Sequence, residues 1–215
     1  MEELFFKPID PKITKGNHTS SIYDVAERLK ENSQYLLSLE QVMVNACIIC
    51  GAADQSRSYD CRGFKWIKCP DCGHLYKAHM PAYDAVLEHM QQTTIEVYLH
   101  EKSLEYRLEN ITRPKYDFMR RYVTGSPGTW LDLASGLGDM PHLLKQDGWS
   151  VSSTEIHKPF VEFAKERLGV NHQSIPIDQF YEKHSADKNE PYDVVGAFGY
   201  FDMLPDPTAH AQIIN

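Results

Sequence analysis

Two cysteine pairs constrain this chain more than any other feature. They read Cys47-Ile-Ile-Cys50-Gly51 and Cys69-Pro-Asp-Cys72-Gly73, with eighteen residues between Cys50 and Cys69. Two residues between thiols let one tight turn present both sulfurs to a single ion, and a glycine after the second cysteine supplies the positive φ that such a turn favours. Spaced in this way, Cys47, Cys50, Cys69 and Cys72 are expected to hold a tetrahedral Zn2+. Four thiolates leave no position for water, so the metal is expected to hold a small fold together rather than to do chemistry. Cys61 is expected as a free thiol, and His74 as a surface residue or a support behind the ligands. Between the pairs, Arg57 to Lys68 mixes Tyr59, Phe64, Trp66 and Ile67 with basic residues in a strand-like run broken by Gly63. A β-hairpin between two such knuckles is a zinc ribbon.

Composition bounds the rest. The chain has 215 residues, 42% hydrophobic and 24% charged, with a formal net charge of −8. It is long enough to bury a core without disulfide staples, and it is neither disordered nor collagen-like. No window is apolar enough to span a membrane, and the first residues lack a basic stretch followed by an apolar core, so a cytoplasmic location is expected. Five cysteines without a secretion signal do not make a disulfide framework. An acidic chain has no global attraction to phosphate backbones. From Cys47 to Ala78 there are five basic and three acidic residues, and a fold of that size needs its aromatics for its own core. Nucleic acid is therefore not expected as a partner, and a small or neutral substrate is.

Organisation follows from periodicity. Residues 1–19 read as an irregular arm, and Ser20 or Ser21 as a helix cap. Apolar positions from Ile22 through Val44 suit one or two amphipathic helices. Tyr83 to about Met90 and Leu99 to Ile111 read as helices flanking the β-branched stretch Thr93–Val97, with Pro114 as a break. Tyr116–Val123 reads as a short helix ended by Gly125-Ser-Pro-Gly128. The expected divisions are residues 1–46, arm and helices; 47–80, ribbon; 81–125, linker helices; and 126–215, a nucleotide-binding type of domain.

That last segment carries the chemistry. Thr129–Ala134 is a buried-strand run, Ser135-Gly-Leu-Gly-Asp139 a glycine turn opening a helix, Trp149–Glu155 a second strand, and Lys158–Leu168 a helix stopped by Gly169. A βαβα order implies a parallel sheet with right-handed crossovers. The glycine turn lets a ligand approach the backbone, and Glu155 at the neighbouring strand end is placed to accept from ribose hydroxyls, so an adenosine-containing cofactor is expected. Gly136-Leu-Gly138-Asp-Met-Pro141 lacks the third small residue of the dinucleotide fingerprint, which weighs against NAD.

Asp132-x-Ala134-x-Gly136-x-Gly138 resembles motif I of class I S-adenosylmethionine-dependent methyltransferases, with Ala134 in the place of a glycine. Pro191–Pro207 resembles the family's fourth strand and the loop after it. Together with the cysteine pairs, these segments resemble, over residues 47–207, bacterial methyltransferases with an N-terminal zinc-binding module. The resemblance implies an α/β fold, a Rossmann-like parallel sheet containing strands 1–4 preceded by helices and a zinc ribbon. It implies Asp132 at the methionine end of the cofactor, Ala134, Gly136 and Gly138 closing the backbone on it, Glu155 on the ribose, Ile156 beside the adenine and Phe198 beside the sulfonium. Many relatives carry Glu-His where this chain has Asp202-Met203, leaving Asp202 as the candidate catalytic base. A full domain of the family continues with further strands, so an incomplete sheet is expected, with a fourth-strand edge open to self-association. The expected function is S-adenosylmethionine-dependent methylation of a small molecule with a structural Zn2+. The alternatives are an RNA methyltransferase using its ribbon on RNA, a non-catalytic cofactor-binding scaffold, and an NAD-binding Rossmann protein.

Overall fold

The structure is a computed structural model that describes residues 22–92, 101–186, 191–201, 204 and 207–214. The arm at 1–19, the caps Ser20 and Ser21, the stretch Thr93–Val97 and Asp202 lie outside the described residues. The described parts of Ser20–Gln92 and Phe201–Asn215 make one compact unit, and those of Thr93–Tyr200 make the other. No described helix is long and apolar enough to cross a membrane.

In the first unit, helix α1 (Ile22–Ser38) ends where the Gln41 amide donates to the carbonyls of Leu36 and Leu39, at 2.8 and 2.9 Å. Those bonds satisfy carbonyls that a further helical turn would otherwise have taken. The chain therefore leaves the helix earlier than its apolar spacing suggests. Gln41–Met43 is strand β1 instead, antiparallel to β5 (His79–Pro81). Strands β2 (Ser58–Cys61), β3 (Phe64–Lys68) and β4 (Leu75–Lys77) form the ribbon sheet in the order β2-β3-β4. Cys61 pairs with Phe64 across a two-residue turn, Arg62-Gly63, in which both φ values are positive (52° and 83°). That is the geometry whose twist matches the strands it joins. Behind the sheet, Ile67, Tyr76 and Ala78 pack with Cys47 and Cys69 into one small core. Helices α2 (Tyr83–Gln92) and, from the far end of the sequence, α8 (Pro207–Ile214) complete the unit. The Thr208 hydroxyl donates to the Ile48 carbonyl at 3.0 Å, and the His210 and Tyr83 rings meet edge to face.

The second unit opens with α3 (Glu101–Arg107), a π-helical turn (Leu108–Thr112) and α4 (Arg113–Met119). Pro114 does not break the run as its sequence suggests. The widened turn, with the Arg113 N–H bonded to the Leu108 carbonyl, removes the steric conflict a proline imposes on the preceding turn, and Pro114 sits in the first turn of α4.

Strands β6 (Thr129–Leu133), β7 (Ser150–Ser153) and β8 (Val194–Ala197) form a parallel sheet in the order β7-β6-β8. Helices α5 (Asp139–Gln146), α6 (Lys158–Leu168) and α7 (Ile177–Ala186) lie between them in sequence. This is the expected Rossmann-like arrangement. Its third strand is reduced, among the described residues, to one parallel bridge, Thr154 to Gln173. Gln173 exchanges bonds with Ser153 and Glu155, after which Pro176 has no N–H to extend a ladder and its carbonyl instead takes the Phe180 N–H as α7 begins. Trp130, Trp149, Tyr116, Met140 and Leu144 form the core, with the Trp149 indole donating to the Tyr116 hydroxyl.

Candidate functional site

The cysteine cluster is built from two equivalent turns. Gly51 N–H donates to Cys47 O at 2.7 Å, and Gly73 N–H to Cys69 O at 3.0 Å. Cys47 N–H donates to Ala52 O and Cys69 N–H to His74 O, both at 2.8 Å. Gly51 and Gly73 share φ near 77° and 76°. The four sulfurs lie within 4.8 Å of one another, with Cys47–Cys72 at 3.6 Å and Cys50–Cys69 at 3.5 Å. A tetrahedron with 2.3 Å Zn–S bonds has edges of about 3.8 Å, so the donor set fits that ion. Against the pull of the Ala52 N–H, the neighbouring Cys72 and Cys69 thiols push the Cys50 thiol up to about 12, while the Cys72 N–H holds Cys69 down at about 7. Four thiols so close share their ionisation unequally until a cation draws them together. Cys61 is exposed on the hairpin, and His74 stacks on Tyr76 without joining the four.

The second site is a cleft of about 340 Å³ at the carboxyl end of β6. Its floor is the motif the sequence singled out. Asp132 is a fully buried residue of the cleft lining, and its Oδ1, on the side of Gly196 in β8, has no hydrogen-bond partner. Burial pushes its carboxyl up to about 7. An unpartnered buried carboxylate oxygen is costly unless a donor arrives, and an ammonium group is the donor that would also favour its charged form. Ala134 and Gly136 both line the cleft with positive φ, 48° and 59°, and nothing stands within 4 Å of a Cβ added to Gly136. Backbone therefore faces open space there. The loop is tied to the end of β7 by Ser135 N–H to Thr154 O and by Gly136 N–H to Glu155 Oε2 at 2.8 Å.

The other expected residues are placed as follows. Glu155 is buried, accepts from the N–H groups of Gly136 and His157, and stands behind the loop; neither it nor Ile156 is among the residues lining the cleft. Burial raises its carboxyl above the usual range against the pull of those N–H groups. Gly138 caps α5 and packs away from the opening. A Cβ there would stand 3.0 Å from the Ala164 Cβ and 3.2 Å from His172 Nε2. Phe198 lines the cleft, with Lys115 Nζ 6.0 Å from its ring centre.

Sequence reasoning missed three features. The first is the pair of Arg107 and Asp139, which meet on the cleft wall at 2.7 and 3.2 Å, nearly buried, in a two-bond ion pair across 32 positions. No local pattern announces such a pair. The second is Gly196 in β8: a Cβ there would lie 2.9 Å from both Asp132 Oδ1 and Trp130 Nε1 and 3.3 Å from Phe198. A glycine inside a strand was its available signal. The third is the π turn, which brings Ile111 and Thr112 to the cleft. π-helical turns are frequent at functional sites.

A family model described as a methyltransferase domain matches residues 98–215 of this chain. No curated protein matches it.

Proposed function

The chain belongs to that methyltransferase-domain family, whose members are S-adenosylmethionine-dependent methyltransferases, and from this we propose that its cleft binds S-adenosylmethionine for methyl transfer to a small molecule. The observation that carries the proposal is Asp132, a buried carboxylate in the cleft lining at the strand end, with its Oδ1 unpartnered. In this reading Asp132 takes the amino group of the methionine part. Ala134 and Gly136 admit the cofactor to the backbone, and Glu155 braces Gly136 while keeping acceptor capacity for ribose hydroxyls. Ile156, outside the cleft lining, is proposed to flank the adenine where the cofactor extends past the loop. Phe198 offers an aromatic surface to positive charge.

When bound, the cofactor supplies an electrophilic methyl carbon on a sulfonium. The chain's contribution is chiefly alignment, since in-line displacement gains most from fixed distance and direction. Gly196 keeps Phe198 and Asp132 close, and the Arg107–Asp139 pair fixes the first turn of α5 to the helical wall. Asp202 is proposed as the base that takes a proton from the acceptor. A small acceptor is supported by the acidic charge of the chain. The four cysteines are proposed to hold Zn2+ as the brace of the ribbon.

The test is calorimetric titration of zinc-loaded protein with S-adenosylmethionine, with NAD as the competing ligand and Asp132→Asn as the control. Saturable binding that Asp132→Asn weakens at least tenfold supports the site. Binding of NAD in its place, or no binding by folded protein, overturns it. Binding without turnover over a broad panel of small acceptors would favour a scaffold role over an enzyme.

A further inference from the structure

The ribbon's charge, nearly balanced along the sequence, is not balanced in space. Residues directly opposite on antiparallel strands share a face. Tyr59, Trp66 and Lys77 stand opposite one another across β2, β3 and β4, and Lys68 stands opposite Leu75. The reverse face carries Ile67 and Tyr76, which pack onto the cysteine cluster. The three acidic residues of this segment lie elsewhere. Asp60 pairs with Lys65 on the reverse face, Asp54 accepts from the Ser56 N–H, and Asp71 lies inside the second cysteine turn. The front of the sheet thus carries Lys68 and Lys77 and no carboxylate, in a chain of net charge −8. Arg57 stands at the entrance to β2, its carbonyl accepting the Lys68 N–H.

This front is also aromatic and open over part of its area, whereas Phe64 on the same face is buried against His79. Tyr59 is 56% exposed and Leu75 52%. Lys77 Nζ lies 4.6 Å from the Phe64 ring centre and 5.2 Å from that of Trp66, so its ammonium is held on the sheet rather than out in solvent. We propose that this face docks a single-stranded nucleic-acid segment, with a base stacked on Tyr59 and phosphates neutralised by Lys68, Lys77 and Arg57. A flat aromatic between cations suits a base and its flanking phosphates. The face is a docking surface and does not make the nucleic acid the methyl acceptor.

The experiment uses the whole zinc-loaded chain and a fluorescent, mixed-sequence RNA single strand of about 12 nucleotides, within the usual span of such sites, read by anisotropy over a salt series. Neutralising three phosphates predicts a log–log salt slope of about −2. Tyr59→Ala is expected to weaken binding about fivefold or more at fixed salt with the slope unchanged, and Lys68→Glu to flatten the slope. Both side chains are exposed, and an unchanged zinc content shows that each variant has kept its fold. The proposal is overturned if the wild type does not bind at low salt, or if both variants bind as it does. It is also overturned if polyglutamate of equal charge displaces the RNA as well as unlabelled RNA does, since the face would then serve an acidic protein.

Discussion

Asp132 makes the folded chain sensitive to pH in an unusual direction. Its carboxyl titrates at about 7 when folded against an ordinary 3.8, so between those values the folded chain holds more protons than the unfolded one, and stability falls as pH rises through that window. His172 works in the opposite sense. Burial lowers it from 6.5 to about 4, so the unfolded chain takes up the proton first and stability falls as pH drops through that range. Comparing urea melts of the wild type and Asp132→Asn from acid to neutral pH cancels the histidine contribution. The difference should grow with pH to about 4 kcal/mol and level off above neutrality; a constant difference would contradict the assignment. Binding of an ammonium group at Asp132 requires the charged carboxylate, so affinity for S-adenosylmethionine should fall as pH is lowered below about 7, by up to tenfold per unit, and Asp132→Asn should lose that dependence. Ala134 holds a φ of 48° that glycine adopts without penalty. Ala134→Gly should therefore be neutral or stabilise by up to about 1 kcal/mol in thermal melts, where an ordinary alanine-to-glycine change destabilises.

Among the elements, the β2–β3 turn depends on its glycine. Gly63 has a φ of 83°, and a Cβ there would lie 2.6 Å from Leu37 Cδ1 of α1. Gly63→Ala should cost about 1–3 kcal/mol in the unfolding of the ribbon unit, with the Asp132 cleft unaffected. The elements legible in the sequence are those whose signal is local. The strand at Thr129–Leu133, its glycine turn and helix, and the stop at Gly169 each carry their own punctuation, as do the two cysteine turns. What was not legible depends on partners far along the chain. Gln41–Met43 becomes a strand because residues 79–81 pair with it, although its apolar spacing continues that of α1. Pro114 fails to break a helix because a π turn precedes it. Gln173 marks the third strand only by one bridge to β7. In the cleft, Asp132, Ala134, Gly136 and Phe198 are the expected residues that form its lining, whereas Arg107, Asp139 and Gly196 matter through contacts that no spacing reveals. The outward face of the ribbon was hidden for the same reason: a charge count averages over the two sides that a sheet separates.

At the scale of the molecule, the four-cysteine cluster and the cleft belong to different compact units. Removing the ion should act on one of them first. Metal-chelating agents at neutral pH are expected to abolish the near-ultraviolet signal of Trp66 and the ribbon tyrosines, while S-adenosylmethionine binding at the cleft of the other unit survives. Simultaneous loss of both would show that the units unfold together. The bond from Thr208 to Ile48 spans 160 positions, and the whole Rossmann-like unit is spelled out between them. In topological terms the ribbon unit is a host and the methyltransferase sheet its guest. The host's first cysteine turn is made early but cannot receive helix α8 until the guest has been synthesised, a wait of roughly 10–30 s at ordinary translation rates. During that interval the cysteine turns rest on the small ribbon core and whatever metal they hold, without α8, so zinc supply during synthesis, rather than after it, should set how much of the ribbon unit folds.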